Sequence, residues 1–350
     1  MSFDIKTLLR KHILNVKPYS SARDEYEGEL GIFLDANENT IGSTTPDGLY
    51  NRYPDPLQWE VKAALSILKN IPAKQIFLGN GSDEPIDLLV RAFCEPYQDN
   101  IIQMPPTYGM YQVSADINAV HVVDVRLSDN YQLDASKVLS AVTPFTKIIF
   151  ICSPNNPTGN NLDSAEILTI IKSFTGLVVV DEAYIDFSSQ ASFIAKIATC
   201  PNLVVLQTFS KAWGLANLRL GMAFASEEVI AVMNRIKPPY NINGVSQQLA
   251  LEALKNVALK DEMVKEINTE RAILAKALSQ FSFVLKVNPS DTNFILLKTT
   301  DAPGIYKQLV DQKIIVRNRN SVLLCEGCLR ITVGTSEENK ALLIALGKCK

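Results

Sequence analysis

The sequence predicts a doubly wound α/β fold, in which a mostly parallel seven-stranded sheet is sandwiched by helices and a smaller α+β domain is formed by both chain ends. From about residue 58 to 280, short β-rich apolar runs alternate with helical stretches, which is the pattern of a layered α/β architecture. Runs such as IIFIC and LVVV are apolar on both faces, as strands covered by helices on both sides must be. The two chain ends lack this alternation, so we expect them to pack together as the second domain.

The apolar runs and the amphipathic stretches give the order of the predicted elements. Core strands are predicted at Gln75–Leu78, Ile101–Met104, Val120–Val125, Lys147–Cys152, Leu177–Val180, Leu203–Gln207 and Gly221–Ala225. Helices are predicted at Asp83–Phe93, Tyr108–Ile117, Ser164–Ser173 and Glu227–Arg235, with one long interdomain helix from Val245 to about Leu278. We place the large domain at residues 46–282 and the small domain at 1–45 and 283–350, the latter with strands in FVLKV, NFILLK, KIIVR and LRITVG.

The charge and hydropathy of the chain argue against several classes of function. The 350 residues carry a formal net charge of -3, so no positive surface for nucleic acid or anionic membrane is expected. No apolar run approaches the roughly 18 residues that a membrane span needs, and the N-terminus lacks the features of a signal peptide. We therefore expect a cytoplasmic protein with a small-molecule ligand.

The cysteines and histidines predict neither a metal site nor a hydrolase. Six cysteines are scattered through the chain, and we expect them to be free thiols. Cys325 and Cys328 form a C-x-x-C, but there is no second pair, and His12 and His121 are far away in sequence. Two small buried side chains are therefore the preferred interpretation over a zinc or redox site.

Ligands of open α/β sheets bind beyond the carboxyl ends of the strands, so the residues after each apolar run are informative. After the first run comes a glycine turn, residues 79–85, that opens a helix and could bind a phosphate. Ser82 or Asp83 in this turn could equally be an ordinary N-cap. Tyr108 follows the second run, where it could cover a planar cofactor or simply pack as an aromatic side chain.

Three further strand ends carry polar groups. Residues 153–160, SPNNPTGN, form a rigid turn whose side-chain amides can donate to an oxygen. Asp181 ends the apolar run LVVV, and burying this acid is costly unless it faces a cation or a strong donor. Lys211 follows the run VVLQTF, and Arg219 comes eight residues later.

Together these strand ends point to pyridoxal 5′-phosphate (PLP) as the cofactor. PLP needs a lysine for an imine, an acid at its ring nitrogen, donors to its phenolic oxygen and a phosphate site. Lys211, Asp181, the asparagine turn and the glycine turn supply these four requirements.

The motifs SPNNPTG, VDEAY and TFSKAWGLANLRLG, in this order, resemble those of the fold-type I, class II aminotransferases. The segments KPY (17–19), LDANEN (34–39), NRYPD (51–55) and CLRITVG (328–334) are similar to those of the histidinol-phosphate aminotransferase family. The resemblance covers essentially the whole chain. It implies a fold-type I PLP transferase that transaminates histidinol phosphate with 2-oxoglutarate, forming glutamate, in histidine biosynthesis.

The resemblance also implies roles for individual residues. Lys211 would carry the cofactor as a Schiff base and move a proton between Cα of the substrate and C4′ of the cofactor. Asp181 would keep the pyridine nitrogen protonated. Asn156 and Tyr184 would donate hydrogen bonds to the phenolic oxygen, and Tyr108 would stack on the ring. The phosphate would be surrounded by Gly81, Ser82, Asp83, Thr208, Ser210 and Arg219.

For the substrate, the resemblance implies that Arg330 binds its anionic end, because a guanidinium fits both carboxylate and phosphate. Further contacts are implied for Tyr19, Asn156, Tyr240 and Arg317, although Arg317 could also be a solvated surface charge. Tyr53 would reach the cofactor phosphate of the neighbouring subunit, which implies an obligate homodimer.

Three alternatives remain open at this point. The same cofactor could serve an aromatic amino acid aminotransferase or a phospho-amino-acid decarboxylase, and a binding domain could sense PLP without catalysis. No basic arm or helix-turn-helix extension favours the last alternative.

Overall fold

The chain is described by a computed structural model that covers residues 4–17, 31–45 and 50–349. Its main sheet contains β1 (Ile76–Asn80), β2 (Asn100–Gln103), β3 (His121–Asp124), β4 (Thr146–Cys152), β5 (Leu177–Asp181), β6 (Leu203–Thr208) and β7 (Leu220–Phe224). The strands lie in the order β1-β7-β6-β5-β4-β2-β3. β7 runs antiparallel to β1 and β6, and the other pairs are parallel. The predicted mostly parallel seven-stranded sheet is confirmed.

Helices cover both faces of this sheet. The α-helices are α1 (Ile5–Leu8), α2 (Lys11–Leu14), α3 (Trp59–Lys69), α4 (Asp83–Phe93), α5 (Met110–Ile117), α6 (Ala135–Ser140), α7 (Ser164–Ser173), α8 (Glu227–Ile236), α9 (Gly244–Leu254), α10 (Val257–Leu278), α11 (Ala302–Asp311) and α12 (Ser336–Leu346). Side chains of β4 point alternately to the two faces of the sheet, as in any strand, and so enter two different apolar cores. Ile149 and Ile151 join the core that includes α3 and α7, whereas Ile148 and Phe150 join the core that includes α4 and α8.

The single long helix predicted from Val245 to about Leu278 is wrong, because α9 ends at Leu254 and α10 begins at Val257. Asn256 between them has φ -112° and ψ 38°, outside the helical region. Its side-chain amide donates to Glu252 O at 3.0 Å. Asparagine competes in this way with the backbone hydrogen bonds of a helix, and the apolar spacing on either side does not reveal the break.

A second, antiparallel sheet forms the smaller layer of the molecule. It contains β8 (Val284–Val287), β9 (Phe294–Thr299), β10 (Arg317–Asn318) and β11 (Cys328–Thr332), in the order β10-β11-β9-β8. Its apolar side chains share a core with α10, α11 and α12. The predicted strands in FVLKV, NFILLK and LRITVG are confirmed.

The predicted strand KIIVR is mostly wrong, since only its last residue, Arg317, lies in a strand. Lys313 has φ 63°, and the N–H of Ile314 donates to Leu309 O at 2.9 Å. These residues therefore complete the carboxyl end of α11 before the chain becomes extended. Apolar β-branched residues alone do not distinguish such a turn from a strand.

The described residues near the N-terminus contact the helical layer of the main sheet. Ile5 and Leu9 are buried with Ile86 and Leu89 of α4, and the N–H of Arg10 donates to Ala92 O at 3.0 Å. The division into a large domain at 46–282 and a small domain at 1–45 and 283–350 stays a prediction. Within the described ranges, no helix is both long and apolar enough to cross a membrane.

β1 and β7 approach each other closely where β1 turns into α4. A Cβ on Gly221 would lie 2.3 Å from Gly81 C and 2.5 Å from Ser82 N. The N–H of Gly81 donates to Arg219 O at 2.7 Å. The lack of a side chain at Gly221 therefore allows the glycine turn to lie against β7.

We expect Gly221→Ala to lower the midpoint of urea denaturation, because the added methyl group must displace backbone atoms. Overpacking of this kind typically costs about 1–3 kcal/mol. The matched control is Gly347→Ala, whose added Cβ would have its nearest contact at 3.4 Å. Equal denaturation midpoints for the two variants would contradict the requirement for close approach at Gly221.

Candidate active site

The carboxyl ends of the parallel strands open into a cavity of about 710 Å³. Ligands of open α/β sheets bind at this edge. The predicted site residues that line it are Gly81, Ser82, Asp83, Tyr108, Asn156, Asp181, Tyr184, Thr208, Ser210, Lys211, Arg219, Arg317 and Arg330. The fold thus brings residues from both sheets to one place.

Asp181 is the buried acid of this cavity, at the end of the central strand β5 and only 2% exposed. Its Oδ2 accepts a hydrogen bond from Tyr111 OH at 2.8 Å, and its Oδ1 accepts one from Ala183 N at 3.1 Å. Burial raises the pKa of Asp181 to about 6, while these two hydrogen bonds oppose the rise. A cation in the cavity would stabilise the ionised carboxylate further.

Tyr111 is a site residue that the sequence reasoning missed. It lies on α5 and is fully buried, with its ring stacked on Phe150 at a centroid distance of 4.7 Å. Tyr111 lies within a helix, whereas the polar groups that the sequence indicates follow the strand ends. Its position three residues after Tyr108, on the buried face of an amphipathic helix, was the available signal, since a buried tyrosine hydroxyl usually has a partner.

Lys211 lies in the cavity with its Nζ 5.6 Å from the centroid of the Tyr184 ring. Burial lowers the pKa of Lys211, Arg330 lowers it further, and Asp181 opposes both effects. The shift favours the neutral, nucleophilic amine. Burial also raises the pKa of Tyr184, so its hydroxyl stays protonated and can donate a hydrogen bond.

The turn before α4 forms a cradle for an anion. Gly81 has φ +69°, and a Cβ there would lie 2.9 Å from Arg219 Nη2. Ser82 is the N-cap of α4, but its side chain makes no capping hydrogen bond. The hydroxyl of Ser82 and the first N–H groups of the helix can therefore bind an anion beside the Arg219 guanidinium. The alternative that Ser82 serves only as an ordinary side-chain N-cap is not supported.

Asp83 connects this cradle to Tyr108. Its Oδ1 accepts a hydrogen bond from Tyr108 OH at 2.9 Å, and its Oδ2 lies 3.4 Å from Arg219 Nη2. Tyr108 is half-buried, and its ring makes an edge contact with Tyr111. These contacts fix the aromatic side chain on the cavity wall beside the cradle.

Arginines from the second sheet close the opposite side of the cavity. Arg330 Nη1 donates to Asn156 Oδ1 at 2.5 Å, which joins β11 to the asparagine turn. Arg317 lies directly opposite Arg330 in the β10–β11 pair. Arg319 also lines the cavity, although nothing in the spacing of its neighbours distinguishes it from a solvated surface charge.

Two predicted residues that the structure describes are not among those lining the cavity. Tyr53 and Tyr240 stack on each other with ring centroids 4.5 Å apart, and Tyr53 is 51% exposed. Tyr19 lies outside the described residues.

The six cysteines are free thiols, including Cys325 and Cys328. All of them are buried except Cys349, which is half-buried. This outcome confirms the prediction of free thiols. Among the described residues, no group of three or more His, Cys, Asp or Glu side chains could hold a metal ion.

Comparison with known proteins defines the class of the chain. The family model for aminotransferases of class I and II matches residues 34–346. A histidinol-phosphate aminotransferase of Cytophaga hutchinsonii is 57% identical over 346 residues, 99% of both chains, and one of Parabacteroides distasonis is 52% identical over 347 residues, again 99% of both. The chain therefore belongs to the class I and II aminotransferases, and within them to the histidinol-phosphate aminotransferase family.

The fold agrees with this assignment. The crystal structure of a histidinol-phosphate aminotransferase from Sinorhizobium meliloti in complex with PLP has a TM-score of 0.80 and 23% identity, covering 90% of this chain and 89% of that one. The predicted fold-type I architecture is confirmed.

The cavity fits PLP, the cofactor of this family. A Cβ on Gly81 would collide with Arg219 Nη2, so glycine at this position lets the guanidinium lie against the turn, where it can bind a phosphate. Asp181 is a buried acid whose ionised form is stabilised by a nearby cation, and a protonated pyridine nitrogen is such a cation. Lys211 and Asn156 line the space between them.

We expect Tyr111→Phe to weaken PLP binding most at the acid end of the pH range. The variant loses a hydrogen bond that lowers the pKa of Asp181. This pKa should therefore rise above its present value of about 6, and the carboxyl should become protonated at a higher pH. A hydrogen bond to a charged group contributes about 1.5–3 kcal/mol, so the dissociation constant near pH 7 should rise by about tenfold or more.

The measurement is a spectroscopic titration of the apoenzyme with PLP across the range around the pKa of Asp181. Tyr97→Phe is the matched control, since Tyr97 is 84% exposed. An affinity profile for Tyr111→Phe that coincides with the wild-type profile at every pH would show that the hydroxyl does not act on Asp181.

Proposed function

We propose that the chain transfers the amino group of L-histidinol phosphate to 2-oxoglutarate, forming imidazole acetol phosphate and glutamate in histidine biosynthesis. The observation that carries this proposal is a cavity with an anion cradle at one end and arginines at the other, around a buried lysine and a buried acid. The name shared by the 52–57% identical relatives supports the same reaction.

The residues around the cofactor site have distinct roles in this proposal. When bound, PLP supplies a carbonyl carbon that condenses with amines and a protonated ring that withdraws electrons. Asp181 holds the proton at the pyridine nitrogen, with Tyr111 holding its carboxylate in place. Lys211 would hold the cofactor through its ε-amine. Once the substrate amine has displaced it, the free ε-amine would accept the proton from Cα of the substrate and deliver it to C4′ of the cofactor.

Asn156 and Tyr184 provide donors for the phenolic oxygen of the cofactor. Because Asn156 Oδ1 accepts from Arg330, its Nδ2 is left to donate. Tyr108 covers the ring. Residues that line the cavity would bind the phosphate, namely Gly81, Ser82, Asp83, Thr208, Ser210 and Arg219. Asp83 would contribute its backbone N–H, because its carboxylate is paired with Tyr108 and Arg219.

Arg330 binds the anion of either substrate, the phosphate of histidinol phosphate or the α-carboxylate of the 2-oxoglutarate and glutamate pair. Its guanidinium carbon lies 5.1 Å from the centroid of the Phe294 ring, so both the ring and Asn156 hold it in position. Arg317 contributes a second cation on the same side. Tyr19 and Tyr240 are proposed as further substrate contacts from the resemblance alone.

We further propose that the chain acts as a homodimer in the cytoplasm. Tyr53 does not line its own cavity and is half exposed, so it can contact the cofactor phosphate of a second copy. Residues in the same stretch expose large apolar surfaces: Ile32 is 91% exposed, Leu34 78% and Ile41 94%. Large exposed apolar side chains grouped in one segment support an interface with a second copy of the chain.

The experiment that tests the reaction compares three amino donors with 2-oxoglutarate. We expect wild-type enzyme to form glutamate from histidinol phosphate with a kcat/KM at least about tenfold above that for phenylalanine. Phosphothreonine should release no carbon dioxide. Lys211→Ala is the negative control and should be inactive.

A preference for phenylalanine would replace the proposal with an aromatic aminotransferase, and carbon dioxide release would replace it with a decarboxylase. Bound PLP without turnover of any donor would favour a sensing domain.

The dimer proposal predicts complementation between two weakened variants. Tyr53→Phe removes the donor to the partner's site, and Lys211→Ala removes the lysine of its own site. In a mixture that exchanges subunits, about half of the dimers are hybrids with one intact site, so activity should reach about a quarter of wild type at limiting PLP.

Each variant alone should remain well below this level. No recovery on mixing, or full activity in a protein that sedimentation shows to be monomeric, would contradict the dimer.

A further inference from the structure

Three arginines share one face of the β10–β11 ladder. Arg317 and Arg330 are direct cross-strand partners, and such partners point to the same face of an antiparallel pair. Arg319 continues the ladder, since its N–H donates to Cys328 O at 2.9 Å. Because residues two apart in an extended chain point the same way, Arg319 presents its side chain on the face of Arg317. All three line the cavity.

This cluster of three arginines lacks a counterion in the described part of the chain. None of the three forms an ion pair with an Asp or Glu among the described residues. The Nε of Arg319 is buried and has no hydrogen-bond partner there. Burial lowers the pKa of Arg330, and Arg319 is the charged neighbour that lowers it most. Like charges directly opposite in a sheet destabilise it, so an anion is needed to compensate.

The charge and the oxygen count of the anion can be inferred from this arrangement. A carboxylate has one charge and two oxygens, and one guanidinium binds it through two parallel hydrogen bonds. A phosphate monoester carries about -1.5 to -2 charges at pH 7 and three free acceptor oxygens. Three guanidinium groups therefore match a phosphate monoester better than a carboxylate.

We propose that Arg319 is a specificity-determining residue that binds the substrate phosphate together with Arg317 and Arg330, and that it selects the phosphorylated amino donor over glutamate. This inference rests on the proposed function and extends it, because Arg319 acts on one of the two donors only. Arg330 serves both donors, whereas Arg319 completes the site for the dianion.

The hairpin that carries Arg319 is held in a defined position. The N–H of Val322 donates to Arg319 O at 2.9 Å, and Asn320 Oδ1 accepts from Gly327 N at 2.8 Å. Tyr131 OH donates to Leu324 O at 2.9 Å, which ties the hairpin to the main-sheet domain. These hydrogen bonds hold the backbone that carries Arg319, as a residue that selects between substrates requires.

The test compares both half-reactions in the PLP-loaded Arg319→Gln variant. The loss of a charge-assisted hydrogen bond should reduce kcat/KM for histidinol phosphate about 10- to 100-fold, mainly through a higher KM. The half-reaction with glutamate should change less than about threefold, as expected for a charge that does not touch the ligand. Arg319→Lys keeps the charge and should recover part of the loss.

A binding measurement and a control variant separate this role from a structural one and from the proposed function. Calorimetric titration of the holoenzyme with inorganic phosphate should show weaker binding in Arg319→Gln than in wild type. Arg126→Gln is the control, because Arg126 is an exposed arginine paired with Asp129 at 3.7 Å and is not among the residues lining the cavity. The control should leave both half-reactions unchanged.

Equal losses in the two half-reactions, or an unchanged kcat/KM for histidinol phosphate, would overturn the role of Arg319. If wild-type enzyme failed to use histidinol phosphate while Arg319→Gln still weakened phosphate binding, the proposed reaction would fall and the phosphate-binding role would stand. If Arg319→Gln does not fold, the role of Arg319 is tested with Arg319→Lys. A KM for histidinol phosphate equal to the wild-type value in that variant would contradict a fork-shaped contact with the phosphate.

Discussion

The buried carboxylate of Asp181 is the constraint on which the site depends. Placing an acid at the end of the central strand, with apolar strands on either side, costs free energy unless a donor or a cation compensates. Tyr111 and the N–H of Ala183 supply two hydrogen bonds, but the pKa of Asp181 is still raised to about 6. The protonated pyridine ring of a bound PLP would supply a positive charge that stabilises this carboxylate.

The remaining charges of the cavity are arranged around this centre. Arg219 and the amino end of α4 provide positive potential on one side, and the arginines of the second sheet provide it on the other. Lys211 lies between them, and this surrounding positive charge helps to keep its pKa below the ordinary value. The cavity can therefore hold the anion of the cofactor on one side and the anion of one substrate on the other, with Lys211 between them.

Much of this arrangement could be predicted from the sequence. Asp181, Lys211 and Asn156 follow apolar runs directly, and the ends of parallel strands meet at one edge, so these residues were bound to converge. The strands themselves were recognisable because β4 and β5 are apolar on both faces.

The rest depends on features that apolar spacing does not encode. Tyr111 contacts Asp181 only because α5 packs across the sheet, and Arg319 enters the cavity only because a rigid hairpin places it beside Arg317. The break at Asn256 arises from a local side-chain hydrogen bond. Tyr53 and Tyr240 stack on each other and do not line the cavity, so their contacts with a second copy of the chain and with the substrate stay predictions.

The most direct test of the central claim is the protonation state of the cofactor nitrogen opposite Asp181. Nuclear magnetic resonance of the holoenzyme loaded with PLP that carries ¹⁵N in its ring reports this state through the nitrogen chemical shift. The account predicts a protonated nitrogen at neutral pH in the wild-type enzyme and an unprotonated one in Asp181→Asn. An unprotonated nitrogen in the wild type, or the same shift in both proteins, would contradict it.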